Sequence, residues 1–246
     1  MPTNVKENGF ESSIVSWLVQ HNGYEQGSNA DYNKEIAMDE TRLFRFLNTT
    51  QADKMKQLRL ENDPLEKEKF LQRLDQSLHT NGVIDLLRKG FRYKHLVLDM
   101  FYVRPSPGNE TAAKLYAQNI FSVTRQLQYS RQNPLLALDV CLFLNGLSIA
   151  TMELKNQLTK QNAADAVKQY KDERTPDEVL FGFKRCIVHF AVDDNEVRMC
   201  TELKGQKSWF LPFNKGYNDG AGNPPNPDGI KTDSVSYTHL RAHETP

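Results

Sequence analysis

Two largely apolar runs, residues 135–144 and 147–155, meet at Asn145-Gly146. No other part of the chain constrains the fold as much. Asn-Gly adopts the left-handed backbone that a tight hairpin turn needs, so the two runs predict neighbouring antiparallel strands near the middle of a sheet. Further strands are expected at 94–103, at 120–129, and at 186–192 and 196–202, the last two joined around Asp193-Asp194-Asn195. A short helix at 110–118 and an alanine-rich helix at 162–172 separate some of them.

The first ninety residues have a different period. Phe10, Ile14, Trp17 and Leu18 recur at helical steps before Gly23, and Leu43, Phe44, Leu47, Met55 and Leu58 continue the pattern, with a break near Asn48-Thr49-Thr50. Asp63-Pro64 pairs a capping residue with proline at the first helical position, opening a helix whose stripe is Leu65, Phe70, Leu71, Leu74 and Leu78. The sum is an α/β (α+β) chain with a central sheet and an N-terminal helical part. Residues 9–90 are expected to be mainly helical and 91–213 to carry the sheet, with 214–233, rich in Gly, Pro and Asn, as loop or linker. The segment 234–246 looks foreign and resembles a translated sequencing adapter, so it is set aside.

Thirty-one basic and thirty-one acidic residues give zero formal net charge. The balance excludes a disordered polyelectrolyte, and any DNA-binding face must be a local patch. No apolar run approaches the length of a membrane span, and the N-terminus lacks the apolar stretch of a signal peptide. Cys141, Cys186 and Cys200 are odd in number and widely spaced, without metal-ligand spacing. A cytoplasmic, reduced protein is expected.

Chemistry concentrates on the hairpin. Asp139 lies on its first strand, and Glu153 and Lys155 lie on its second. Phosphodiester hydrolysis at neutral pH calls for a divalent cation, and magnesium favours one or two carboxylates with water and phosphate completing its shell. Lys155 shares a strand face with Glu153, because side-chain direction repeats every two residues.

Hairpin parity sets a condition. A plain two-residue turn puts Asp139 opposite Met152 and on the other face from Glu153. A three-residue loop bulged at Gly146 would instead set Asp139 opposite Thr151, with Glu153 its diagonal neighbour at roughly 7–8 Å. A shared cation therefore requires a bulged or longer turn. Glu202-Leu203-Lys204 repeats the tripeptide but runs into Gly205, an exposed turn. Glu153 and Lys155, by contrast, interrupt an apolar strand in which an unpaired charge would be costly.

The run 138–156, with Gln126-Leu127-Gln128-Tyr129-Ser130 before it and 163–174 after it, resembles the N-terminal nuclease domain of type I restriction enzyme R subunits, in the PD-(D/E)XK superfamily. Phe183-Lys184-Arg185-Cys186, Met199-Cys200-Thr201-Glu202-Leu203 and Phe210-Leu211-Pro212-Phe213-Asn214-Lys215-Gly216, followed by Gly220-Ala221-Gly222-Asn223-Pro224, extend the likeness, which covers most of residues 9–232. The resemblance implies a restriction-endonuclease-like mixed sheet flanked by helices, within a nuclease domain spanning 1–233. It implies Asp139, Glu153 and Lys155 as the catalytic set, with Mg2+ held by Asp139 and Glu153. Glu11 stands where the family carries an acidic residue on its first helix; the helix dipole would also account for a carboxylate there. The family's Gln-x-x-x-Tyr motif, which the resemblance ties to nuclease action, is altered here: Ala166 replaces the glutamine, and Gln169 and Tyr170, adjacent and about 100° apart on their helix, are carried over as catalytic candidates, with packing or solvent exposure as the alternative for each.

The resemblance further implies double-stranded DNA as substrate, and methyltransferase and specificity subunits as partners. It also implies fusion to a motor that uses ATP to translocate DNA. No phosphate-loop motif occurs in this sequence, so ATP would act only in the full-length parent. Arg125, Arg131, Lys160, Lys168, Lys171 and Arg174 surround the site in sequence and are the expected phosphate contacts. A non-catalytic DNA-binding or docking domain, joining the motor to its partners, is the alternative.

Overall fold

The computed structural model describes residues 5–156 and 160–214. All but the first residue of the expected linker, and the whole foreign-looking tail, lie outside the described residues.

Helix α1 (Val5–His21) lays Ile14, Val15 and Leu18 on one face of the sheet. Three two-residue strands follow: β1 (Glu25–Gln26), β2 (Tyr32–Asn33) and β3 (Met38–Asp39). The sequence reading misses them, because two residues are too few to show a period. Asp39 then caps α2 (Glu40–Thr50), accepting the Arg42 N–H at 2.9 Å. The chain breaks at Gln51 and resumes as α3 (Ala52–Leu58). The expected start at Asp63-Pro64 is present: Asp63 accepts the Glu66 N–H, and α4 (Pro64–Asn81) runs to Gly82 before α5 (Val83–Lys89).

Residues 94–103 do not form one strand. They belong in part to a separate hairpin of β4 (Phe91–Tyr93) and β5 (Leu96–Leu98), which reverses at Lys94 with φ +52°. The reversal lets Phe91, Tyr93, Leu98 and Met100 all join the apolar core built by α2, α4 and α5 around Phe46, Phe70 and Leu74. Helix α6 (Glu110–Tyr116) is capped by Asn109.

The main sheet adds β6 (Phe121–Gln128), β7 (Ala137–Leu144), β8 (Leu147–Leu154), β9 (Val188–Val192), β10 (Val197–Cys200) and β11 (Leu211–Pro212). Its order is β1-β6-β7-β8-β9-β10-β11, with β2 and β3 attached at the start of β8. β1 with β6, and β8 with β9, are parallel; the other pairs are antiparallel. The parallel step from β8 to β9 passes through α7 (Ala163–Glu173), as a parallel connection requires.

α1 covers one face against Val140, Leu142, Met152 and Leu154. Ala166 and Tyr170 of α7 cover the other, against Cys141, Phe143 and Ala191. Helix, sheet and helix thus stack as layers of a restriction-endonuclease-like α/β fold. Both faces of β7 and β8 are covered, which is why the hairpin sequence is so apolar. All three cysteines are buried and free. Among the described residues, no helix is long and apolar enough to cross a membrane.

Candidate active site

The hairpin turn is the tight two-residue form, with Leu144 paired to Leu147. Asn145 and Gly146 both have positive φ, +50° and +83°. A side chain at position 146 would also collide with the Asp39 carbonyl, 2.4 Å from where its Cβ would lie. Asn145 is buried: its side chain accepts the Ile120 N–H at 2.7 Å and donates to the Met100 carbonyl at 2.9 Å.

The expected three-residue turn is therefore absent, but the parity still changes. Phe143 pairs with Ser148, whereas Leu142 pairs with Ala150, so Ile149 is an extra residue bulged into β8. From there the ladder runs through Cys141 and Thr151 to Val140 and Met152. Continuing that register sets Asp139 directly across from Glu153, on one face, and not across from Thr151. The bulge required for a shared cation exists in the strand and not in the turn.

Beyond Val140 and Met152, side chains take over from the ladder. Asp139 Oδ2 accepts the Leu154 N–H at 2.8 Å, and Asp139 Oδ1 accepts from Gln126 Nε2 at 3.2 Å. Gln126 has φ +47° within β6, an uncommon backbone for a side-chain-bearing residue. Asn29 patches the ladder there, donating to the Gln126 carbonyl at 3.0 Å and accepting the Gln128 N–H at 2.8 Å. Gln126 Nε2 also donates to Glu11 Oε2 at 2.9 Å, while Arg125 Nε donates to Glu11 Oε1 at 2.6 Å. Glu11, 3% exposed on α1, is thereby tied through one glutamine to Asp139.

Glu153 is wholly buried. Its Oε1 accepts from Arg174 Nε at 2.6 Å, whereas its Oε2 has no hydrogen-bond partner. Burial and the Asp139 carboxylate raise its pKa to about 8, outweighing the Arg174 and Lys155 cations that pull it down. Lys155 follows on the same face, half-buried, with its backbone N–H bound to the Val192 carbonyl at 2.8 Å.

The Tyr170 hydroxyl is buried 2.8 Å from Thr151 Oγ1, which lies 2.8 Å from His189 Nδ1. Burial holds the His189 pKa down to about 3, so this chain of groups is uncharged at neutral pH. Gln169 is half-buried, and its Oε1 lacks a partner. Among the described residues neither Gln169 nor Tyr170 hydrogen-bonds Asp139, Glu153 or Lys155.

Arg174 requires a correction. It is 3% exposed and cannot be a surface DNA contact; its guanidinium is committed to Glu153, Tyr129 and Ala137. Arg125 is half-buried and engaged by Glu11. Arg131, Lys160 and Lys168 are exposed and Lys171 half-buried, so these four remain able to meet solvent. The signal for Arg174 was present in the sequence: Ala163, Ala166, Tyr170 and Arg174 form one helical stripe facing the sheet. Nothing in the sequence announces the φ of Gln126.

A pair of carboxylates with a buried, unbonded oxygen fits a magnesium ion, which draws its remaining ligands from water and phosphate. Among the described residues, no group of three or more His, Cys, Asp or Glu side chains is arranged to hold a metal. A two-carboxylate clamp is smaller than such a group. A family model described as the type I restriction enzyme R protein N terminus matches residues 4–208. No curated protein matches the chain.

Proposed function

The chain belongs to the type I restriction enzyme R protein N-terminal family, and from that premise we propose that it is the endonuclease domain of its restriction system, hydrolysing phosphodiester bonds of duplex DNA. The observation that carries this reading is the bulge in the hairpin register, which sets Asp139 and Glu153 on one face and within electrostatic reach, with one Glu153 oxygen buried and unbonded.

Asp139 and Glu153 would hold Mg2+, which on binding neutralises charge on the phosphate and acidifies water. This chain's own residues do the rest. The Leu154 N–H and Gln126 hold both oxygens of Asp139, so that carboxylate is oriented before substrate arrives. Lys155 places an ammonium on the Glu153 face, where it can orient the attacking water or offset charge developing on the phosphate. Arg131, Lys160, Lys168 and Lys171 would meet the DNA backbone, a contact that weakens with salt and carries no sequence information. Sequence choice would rest with specificity and methyltransferase subunits, and cleavage would follow ATP-driven translocation in the full-length parent. The cytoplasm is the compartment this reading implies.

Asp139→Asn and Lys155→Ala, each in an R subunit assembled with its partners, are expected to lower plasmid cleavage by about 100-fold or more while leaving translocation intact. Full restriction by both variants would overturn the nuclease reading and favour a docking domain.

A further inference from the structure

We propose that Arg174 is a positioning residue: it sets the spacing of the two carboxylate-bearing strands and turns one Glu153 oxygen toward the Asp139 side. The inference rests on reading Asp139 and Glu153 as a cation clamp and goes beyond it by naming what holds the clamp open.

Arg174 caps the C-terminal end of α7, and its planar guanidinium donates in three directions. Nε reaches Glu153 Oε1 at 2.6 Å, Nη2 reaches the Ala137 carbonyl at 2.9 Å, and Nη1 reaches the Tyr129 hydroxyl at 2.8 Å. Glu153 lies on β8, Ala137 begins β7 two residues before Asp139, and Tyr129 directly follows β6. One rigid group therefore ties down three consecutive strands at the end of the sheet where the β7–β8 ladder stops. The Tyr129 ring, 5.2 Å from the guanidinium carbon, fixes its plane.

A purely structural arginine–carboxylate pair favours the two-pronged form, in which both oxygens are bonded. Here the fork is divided. Glu153 receives one prong and the β7 backbone another, leaving Oε2 buried without a partner. A buried carboxyl oxygen without a hydrogen-bond partner has a cost, and a ligand for that oxygen removes it. Lysine could neutralise Glu153, but as a point charge it lacks the planar fork that spans Glu153, Ala137 and Tyr129 together.

The test is titration of the 246-residue chain with Mn2+ alone, by calorimetry, in the unaltered protein, Arg174→Lys, Tyr129→Phe and Asp139→Asn, with thermal unfolding recorded for each. Positioning predicts Mn2+ affinity about 10- to 100-fold weaker in Arg174→Lys that is still folded at the assay temperature. A smaller loss is expected in Tyr129→Phe, which keeps the ion pair and supplies the result should Arg174→Lys fail to fold. A purely structural arginine would lower the unfolding temperature and leave Mn2+ binding by the folded protein unchanged. Affinity equal to or tighter than the unaltered protein in both variants overturns the inference while the clamp stands. If Asp139→Asn binds Mn2+ as well as the unaltered chain, the clamp reading fails, and the inference falls with it.

Discussion

The tripeptide Glu-Leu-Lys occurs twice, at 153–155 and at 202–204, and the two copies meet opposite fates. Glu153 is wholly buried at the end of β8, facing Asp139 and bonded to a buried arginine. Glu202 lies in a turn and pairs with its own neighbour, Lys204, at 2.7 Å, with 57% of the lysine side chain and 33% of the glutamate side chain exposed. The leucines between the charges are alike: Leu154 and Leu203 are each 3% exposed. Identical local chemistry yields a candidate catalytic pair in one place and a solvated ion pair in the other. The difference lies in what the sheet places opposite each carboxylate.

Four measurements would break or sharpen that contrast. The largest effect is expected on cleavage: Glu153→Gln in the assembled complex should lose about 100-fold or more, and Glu202→Gln should cleave normally. Equal losses would erase the distinction between the copies. Next, Leu154→Ala and Leu203→Ala should each lower stability by about 2–5 kcal/mol, because both side chains are buried; denaturant unfolding reads this directly. If Leu203→Ala were nearly neutral, the second copy would be less firmly anchored than its burial indicates.

The third contrast is with pH. The Glu153 proton leaves only near pH 8 in the folded protein, and a bound cation needs the ionised form. Mn2+ affinity should therefore rise by about tenfold per pH unit up to pH 8 and then level off. The folded chain also holds this proton more tightly than the unfolded chain does. The stability it contributes is fully present below the ordinary carboxylate value of 4.5 and is lost as pH rises through 8. Added Mn2+ should offset that loss. A pH-independent affinity between 6 and 8 would remove Glu153 from the clamp. Smallest of all, Lys204→Ala should change stability by no more than about 0.5 kcal/mol, since an exposed pair contributes little.

The site was partly legible before the fold was known. Asp139, Glu153 and Lys155 stand out because they are charged residues in apolar strands, and the parity requirement for a bulge follows from period-two geometry. The position of that bulge does not. Asn145-Gly146 forms its tight turn from local backbone preference, so the extra residue had to go elsewhere. It went to Ile149, where β8 is fitted between β7, β9 and β3. The stripe Ala163, Ala166, Tyr170 and Arg174 is legible as a covered helix face, but the buried carboxylate that Arg174 meets is not, since Glu153 reaches it only through the fold. The β4–β5 reversal at Lys94 was missed for a related reason: the core around Phe70, and not the local residues, demands it.

Taken alone, the sequence determined what short-range physics decides. It set the helix starts at Asp63-Pro64 and Asn162, the hairpin turn, the helical stripes of the first ninety residues and the identity of the charged residues in the central strands. Tertiary structure decided which charges meet. It brought Glu11 to Gln126, Asp139 to the Leu154 N–H beside Glu153, and Arg174 to Glu153, pairings that span 15 to 115 residues of chain. The cost of burying a charge depends on its neighbours in space, and a linear chain does not specify those until the sheet has closed around them.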